Sequence, residues 1–235
     1  MCTVTYLPLG NNKFILTSNR DESPTRKTIS PTKYDENGVQ LIYPKDEIAG
    51  GTWIGLSEKN RLVCLLNGGF EIHKSNGPYK MSRGLIVKKI LSSINSVSFI
   101  EDFVFDKIEP FTLILVDWNT TLETHELVWD GVTKHFKKLP QEPKIWSSST
   151  LYTENMKRLR KEWFANWLIE NKKFKQQEII NFHTSTDKGT KETSLKMHRD
   201  FVETVSVTSV KKEDDICLVY TDILKNSVSK EVIFF

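Results

Sequence analysis

The first twenty-two residues limit what this chain can fold into more than any other stretch. Two runs, Cys2 to Leu7 and Phe14 to Asn19, are rich in Val, Thr, Tyr, Phe and Ile, and Pro8 to Lys13 between them supplies Pro, Gly and Asn. That pattern predicts a β-hairpin. If its loop is Asn11-Asn12, Cys2 lies opposite Asp21; if the loop is Gly10 to Asn12, Cys2 lies opposite Arg20. Either register sets a near-terminal thiol beside a guanidinium and a carboxylate.

The trio acquires a chemical meaning if Met1 is removed, which a residue as small as Cys at the second position permits. Cys2 then carries both a thiol nucleophile and a free α-amine, and an amine titrating near about pH 7.7–8.0 is suited to proton transfer at neutral pH. Arg20 would stabilise the thiolate, and Asp21 would accept a hydrogen bond from the amine and orient it. The plainer reading is a small strand residue followed by a solvated Arg-Asp turn.

Four segments decide between these readings: Met1-Cys2, Asn19-Arg20-Asp21-Glu22, Gly50-Gly51-Thr52-Trp53-Ile54-Gly55 and Leu66-Asn67-Gly68-Gly69. In order and spacing the chain resembles the NRDE family, also called the transport and Golgi organisation protein 2 family. The resemblance is dense to Gly69 and thin beyond it, with Met197-His198-Arg199-Asp200 and Thr204-Val205-Ser206 as its later echo. The family is similar in turn to the N-terminal-nucleophile hydrolases of the penicillin acylase and bile-salt hydrolase kind. The resemblance implies an α+β fold, a four-layer αββα sandwich of two antiparallel sheets flanked by helices, with Cys2 as nucleophile beside Arg20 and Asp21. It also implies that Asn67 serves as oxyanion donor at a strand end, although Asn-Gly is equally a turn signal. Ser149 stands where the acylase relatives carry a second Asn, and a serine reaches less far. Arg199 either takes the place of their later active-site arginine or pairs with Asp200. Asn19, Ser149 and Arg199 are the residues expected to touch substrate.

Length and composition set the remaining bounds. A chain of 235 residues buries a full core, and no boundary divides it, so a single domain over residues 1–235 is expected. A formal charge of +3 gives no reason to expect nucleic acid as a partner. No uncharged stretch approaches the roughly eighteen residues of a spanning helix, and no basic segment followed by an apolar run opens the chain. Cys2, Cys64 and Cys217 have no Cys-x-x-Cys spacing and are odd in number, which favours a reducing compartment; a soluble, cytoplasmic protein is expected. His73, His125, His135, His183 and His198 show no metal-ligand spacing, and no cofactor is implied.

Along the chain, Glu22 to Gln40 reads as an extended connection with a turn at Asn37-Gly38. Val39 to Tyr43, Thr52 to Leu56, Arg61 to Leu66, Phe111 to Asp117 and Glu123 to Trp129 read as strands. A further strand ends in Ile145 to Thr150, and three more close the chain at Thr204 to Val210, Asp215 to Thr221 and Ser229 to Phe235. Helical spacing starts near Leu85, after Ser82-Arg83 as a cap, and a short helix is expected over Phe99 to Phe105. The best helix runs from Glu154 to Asn171, with Met156, Leu159, Trp163, Phe164, Trp167 and Leu168 on its core face and Lys157, Arg158, Arg160 and Lys161 largely off it. Ser149 and Thr150 are candidate caps for it.

Two functions fit this reading. One is an amide hydrolase or acyl-transfer enzyme acting on a small acyl or amide ligand through Cys2, with Arg20, Asp21 and Asn67 in support. The other is a carrier or chaperone that keeps the fold without the reaction and holds haem or an acyl-coenzyme A, ligands the family resemblance allows.

Overall fold

The computed structural model describes residues 3–75 and 77–235. Strand β1 (Thr3–Gly10) and strand β2 (Lys13–Glu22) form the expected hairpin about Asn11 and Asn12. Both turn residues are left-handed, with φ of 45° and 59°, as a two-residue hairpin turn matched to strand twist requires. Gly10 pairs with Lys13, and an irregularity at Pro8–Gly10 then shifts the register so that Pro8 faces Phe14 and Val4 faces Ser18. The turn is therefore that of one expected loop, and the pairing beyond it is that of the other. Cys2 lies outside the described residues.

The chain divides into two compact units, each built on one antiparallel sheet. One unit comprises residues 26–141 with 148–150. Its strands are β3 (Thr28–Glu36), β4 (Val39–Asp46), β5 (Ile54–Ser57), β6 (Arg61–Asn67), β7 (Phe111–Asp117), β8 (Glu123–Trp129) and β9 (Lys134–Leu139), hydrogen-bonded in chain order. The near-continuous apolar runs of β6 and β7 are buried at its centre. Helices α1 (Arg83–Ser92) and α2 (Ser96–Asp102) fall between those two strands in sequence.

Helix α1 buries Ile86, Val87, Ile90 and Leu91. Its end is tied to the sheet by Arg61, a buried side chain on β6 that donates to the carbonyls of Ile90, Ser93 and Ile94 at 3.0–3.2 Å. Ile90 O also accepts from Ser93 N and Ser93 Oγ, and Arg61 adds a charged donor shared with the two carbonyls just past the helix end. A Cβ at Gly51 would lie 2.6 Å from the Gly84 carbonyl carbon, so the helix start meets the strand connection backbone to backbone.

Two strands here differ from expectation. β3 was expected to be a connection, and β9 was not expected at all; both are edge strands with mostly exposed or half-buried residues, so neither shows a clean apolar alternation. Helix α2 starts earlier than expected, because Asn95 accepts from the Ser98 N–H and caps it there. Ser82 does occupy the N-cap of α1, but its side chain makes no capping bond.

The other unit holds the hairpin, residues 142–147 and residues 151–234. Its remaining elements are β10 (Lys144–Ser147), α3 (Glu154–Glu170), α4 (Gln176–Thr184), β11 (Glu203–Lys212), β12 (Ile216–Asp222) and β13 (Ser227–Ile233). The sheet order is β10-β1-β2-β11-β12-β13, which places the hairpin beside β11. Leu7, Ile15 and Ile145 from the sheet pack with Phe164, Trp167, Ile179, Phe182 and Leu195. Helix α4 was not expected; one turn of it supplies Ile179, Ile180, Phe182 and His183 to the interior. Thr153, rather than Ser149 or Thr150, caps α3 by accepting from Met156 N.

Candidate functional site

Strand period dictates how the Asn19-Arg20-Asp21 motif is displayed. Alternate residues of a strand project to opposite faces, and Asn19 and Asp21 both meet the side covered by helices, whereas Arg20 projects to the other. All three are buried, with 0–1% of each exposed. On its own face the Arg20 charge is felt by Tyr220, whose hydroxyl is nonetheless pushed up by burial.

Asn19 is fully engaged. Its amide donates to the carbonyls of His183 at 3.0 Å and Leu195 at 2.9 Å, and its Oδ1 contacts His183 Nδ1. With both amide hydrogens spent on carbonyls, Oδ1 is an acceptor, so His183 carries its proton on Nδ1. Nε2 then accepts from the Thr5 hydroxyl at 2.8 Å. Complete burial, reinforced by the charge of Arg160, pushes the His183 pKa down to about 3, and the ring is neutral. Asn19 thus joins β2, α4 and the Leu195 segment.

Asp21 anchors a second cluster in the same unit. Oδ1 accepts from the Thr204 hydroxyl at 2.6 Å and Oδ2 from the Tyr152 hydroxyl. Burial first, and then the Asp21 charge, raise the Tyr152 pKa, so the phenol stays protonated and donates. The Arg160 guanidinium lies 3.6 Å from the Tyr152 ring centroid and that of Arg199 lies 5.5 Å away.

Sequence reading missed Arg160. It shares the buried stripe of α3 with Phe164 and Trp167, at helical spacing, and donates to Thr3 Oγ1 and to Ser194 O, the latter at 2.6 Å. Among the described residues it has no carboxylate in salt-bridge contact. A buried cation held by neutral groups therefore contacts Thr3, the residue that follows Cys2 in sequence. The signal available beforehand was its spacing with Phe164 and Trp167. Arg199 donates to Leu151 O at 3.0 Å and Glu192 O at 3.1 Å, and so ties the approach to α3 to the segment before β11; Asp200 is exposed.

Replacing Tyr152 with Phe leaves the buried Asp21 short of one hydrogen bond. The expected loss is about 1–3 kcal/mol of folding stability, read as a lower urea midpoint at an unchanged slope.

In the other unit, Asn67 ends β6 and is followed by Gly68 at φ +87°. Ser148 donates to Asn67 O at 2.8 Å and Ser149 to Gly69 O, so the two serines clamp the strand end. The buried Asn67 Oδ1 has no hydrogen-bond partner among the described residues. A Cβ at Gly68 would stand 3.1 Å from Ser149 Cβ and Thr150 Cγ2. Gly68→Ala combines that crowding with a left-handed backbone and should cost about 1–3 kcal/mol, measured by chemical unfolding. Asn67 and Ser149 thus belong together, and Asn19, Asp21 and Arg199 belong to the unit of the hairpin. Among the described residues no group of three or more His, Cys, Asp or Glu side chains could hold a metal ion, and no helix is long and apolar enough to cross a membrane.

Comparison with known proteins extends this picture. A family model described as Transport and Golgi organisation 2 matches residues 1–222. No curated protein sequence matches. Among solved structures, a variant of conjugated bile acid hydrolase from Clostridium perfringens is similar at 10% identity and a TM-score of 0.61, covering 98% of this chain and 92% of its own. Penicillin V acylase from Agrobacterium tumefaciens is similar at 12% identity and 0.61, covering 99% and 86%. The Caenorhabditis elegans ortholog of N-acylethanolamine-hydrolyzing acid amidase is similar at 12% identity and 0.61, covering 88% and 92%. The likeness establishes the fold, two antiparallel sheets with flanking helices, as that of the N-terminal-nucleophile hydrolases.

Proposed function

We propose that this chain, which belongs to the Transport and Golgi organisation 2 family, is an amide hydrolase or acyl-transfer enzyme in which Cys2 becomes the nucleophile once Met1 is removed. The observation that carries the reading is the end of β2. There a buried arginine and a buried carboxylate adjoin in sequence and project to opposite faces. The three solved structures of like fold are named as a hydrolase, an acylase and an acid amidase.

Opposite projection suits a residue whose thiol and α-amine leave one Cα in different directions. Arg20 serves the thiol, stabilising thiolate by its charge, and Asp21 serves the amine, held in one orientation by Thr204 and Tyr152. The amine takes the thiol proton as sulfur attacks the amide carbonyl. The tetrahedral species then collapses to a thioester, and the C–N bond breaks as the Cys2 ammonium returns the proton to the leaving amine. Water, or an acceptor amine, attacks the thioester with the same α-amine as base and regenerates the thiol. The substrate is a small acyl amide, with Arg199 and Asn19 shaping the surroundings rather than reacting. The free thiols Cys64 and Cys217, with a reactive Cys2, suit a reducing cytoplasm.

The test is to mix Met1-free protein with N-acyl amides of increasing chain length, quench in acid and weigh the N-terminal peptide. The expected result is the acyl mass on Cys2, together with release of the amine. A mature chain that keeps Met1, or turnover that leaves no acyl group on Cys2, would remove the mechanism.

A further inference from the structure

We propose that a pocket in the unit of the hairpin binds the anionic end of an amphiphilic small molecule, a carboxylate or phosphate carried on an apolar stem. The pocket has a volume of about 400 Å³, within the usual size of small-molecule sites. Met197 and Ile223 line it with apolar surface, and Lys191, Lys196, His198 and Glu203 supply its charge. Among the described residues neither lysine ammonium has a carboxylate partner. The one lining carboxylate, Glu203, is held by His198 Nδ1 at 2.5 Å.

Backbone bonds hold these groups in place. His198 N donates to Lys191 O at 2.8 Å, Lys196 N to Ser185 O at 3.1 Å, and His198 and Glu203 form a β-bridge. Thr204 also lines the pocket, but its hydroxyl is spent, donating to Asp21 and accepting from Met197 N at 3.0 Å, so it has no hydrogen left to donate to an occupant. Two cations therefore face one engaged carboxylate above an apolar floor. Lysines act on a carboxylate or phosphate as point charges, and the floor accepts the stem. The site requires no turnover and stands whether or not Cys2 reacts.

The experiment is calorimetric titration of the full chain with octyl phosphate, octanoate, octanol and inorganic phosphate. Octyl phosphate and octanoate are expected to bind at least about tenfold more tightly than octanol or inorganic phosphate. Lys191→Glu combined with Lys196→Glu should weaken them by a further tenfold or more, and Lys→Gln at both positions by less. Unchanged thermal melting of the variants would exclude a folding defect. Co-sedimentation with phosphatidic acid vesicles that the double variant loses would assign a lipid headgroup. Binding of octyl phosphate without co-sedimentation would assign a free amphiphile. Equal affinity for octanol, full affinity in the double lysine variant, or no binding of any probe at millimolar concentration would overturn the site.

Discussion

Cys2→Ala is expected to reduce amide turnover by about 10⁴-fold or more. Removing a covalent nucleophile deletes the bond-forming atom, and what survives is only the rate due to binding and oxyanion stabilisation. A form with Met1 forced to remain should lose turnover to a similar degree, because its Cys2 nitrogen is an amide and is not basic enough to accept the thiol proton. The two variants separate the roles: alanine removes the sulfur and keeps the amine, and the retained methionine removes the amine and keeps the sulfur. Iodoacetamide labelling of Cys2 in the Met1-bearing form adds an independent reading. If Arg20 supplies the thiolate stabilisation, labelling near pH 7 should slow in Arg20→Gln even there. Full turnover in Cys2→Ala would end the nucleophile assignment.

The second large effect is on stability in acid. His183 is neutral and wholly buried, with its pKa pushed down to about 3 from the ordinary 6.5. An unfolded chain takes up this proton near pH 6.5 and the folded chain only near 3. Between those values the unfolded state binds more protons, so stability falls as the pH is lowered through this window. A displacement of that size corresponds to about 3–5 kcal/mol, present in full above pH 6.5 and exhausted near pH 3. His183→Gln replaces the ring with an amide that does not titrate in this range. It should be less stable than the parent at pH 7, where its fit to Asn19 and Thr5 is poorer, yet lose less stability on acidification. Urea midpoints measured at intervals from pH 7.5 to 3.5 would show the parent's curve falling toward that of the variant. Parallel curves would mean that His183 does not contribute this pH dependence.

Much of the fold is written in short-range pattern. The hairpin at Asn11-Asn12, the apolar runs of β6 and β7 and the amphipathic stripe of α3 were legible, because a strand or helix that buries one face or both must repeat its apolar residues at the period of its backbone. The edge strands β3 and β9 were not, since an edge keeps polar residues on exposed positions and the period disappears. Short α4 carries too few turns for a stripe to stand out.

The candidate site divides in the same way. Arg20, Asp21 and Asn67 could be chosen as residue types at the ends of strands, since the chemistry of a carboxylate, a guanidinium or an amide travels with the residue. That Arg20 and Asp21 project apart follows from the strand period once β2 is known. Which groups meet them does not. Tyr152 reaches Asp21 from 131 positions away and Thr204 from 183, and Asn19 holds His183 from 164. Such partners are brought together by sheet order and helix packing, and no local repeat records them. Arg160 shows the limit most plainly: by residue type it belongs at the surface, and only the tertiary structure surrounds its terminal nitrogens with carbonyls and a hydroxyl and its charge with the Tyr152 ring, although its buried Nε has no hydrogen-bond partner among the described residues.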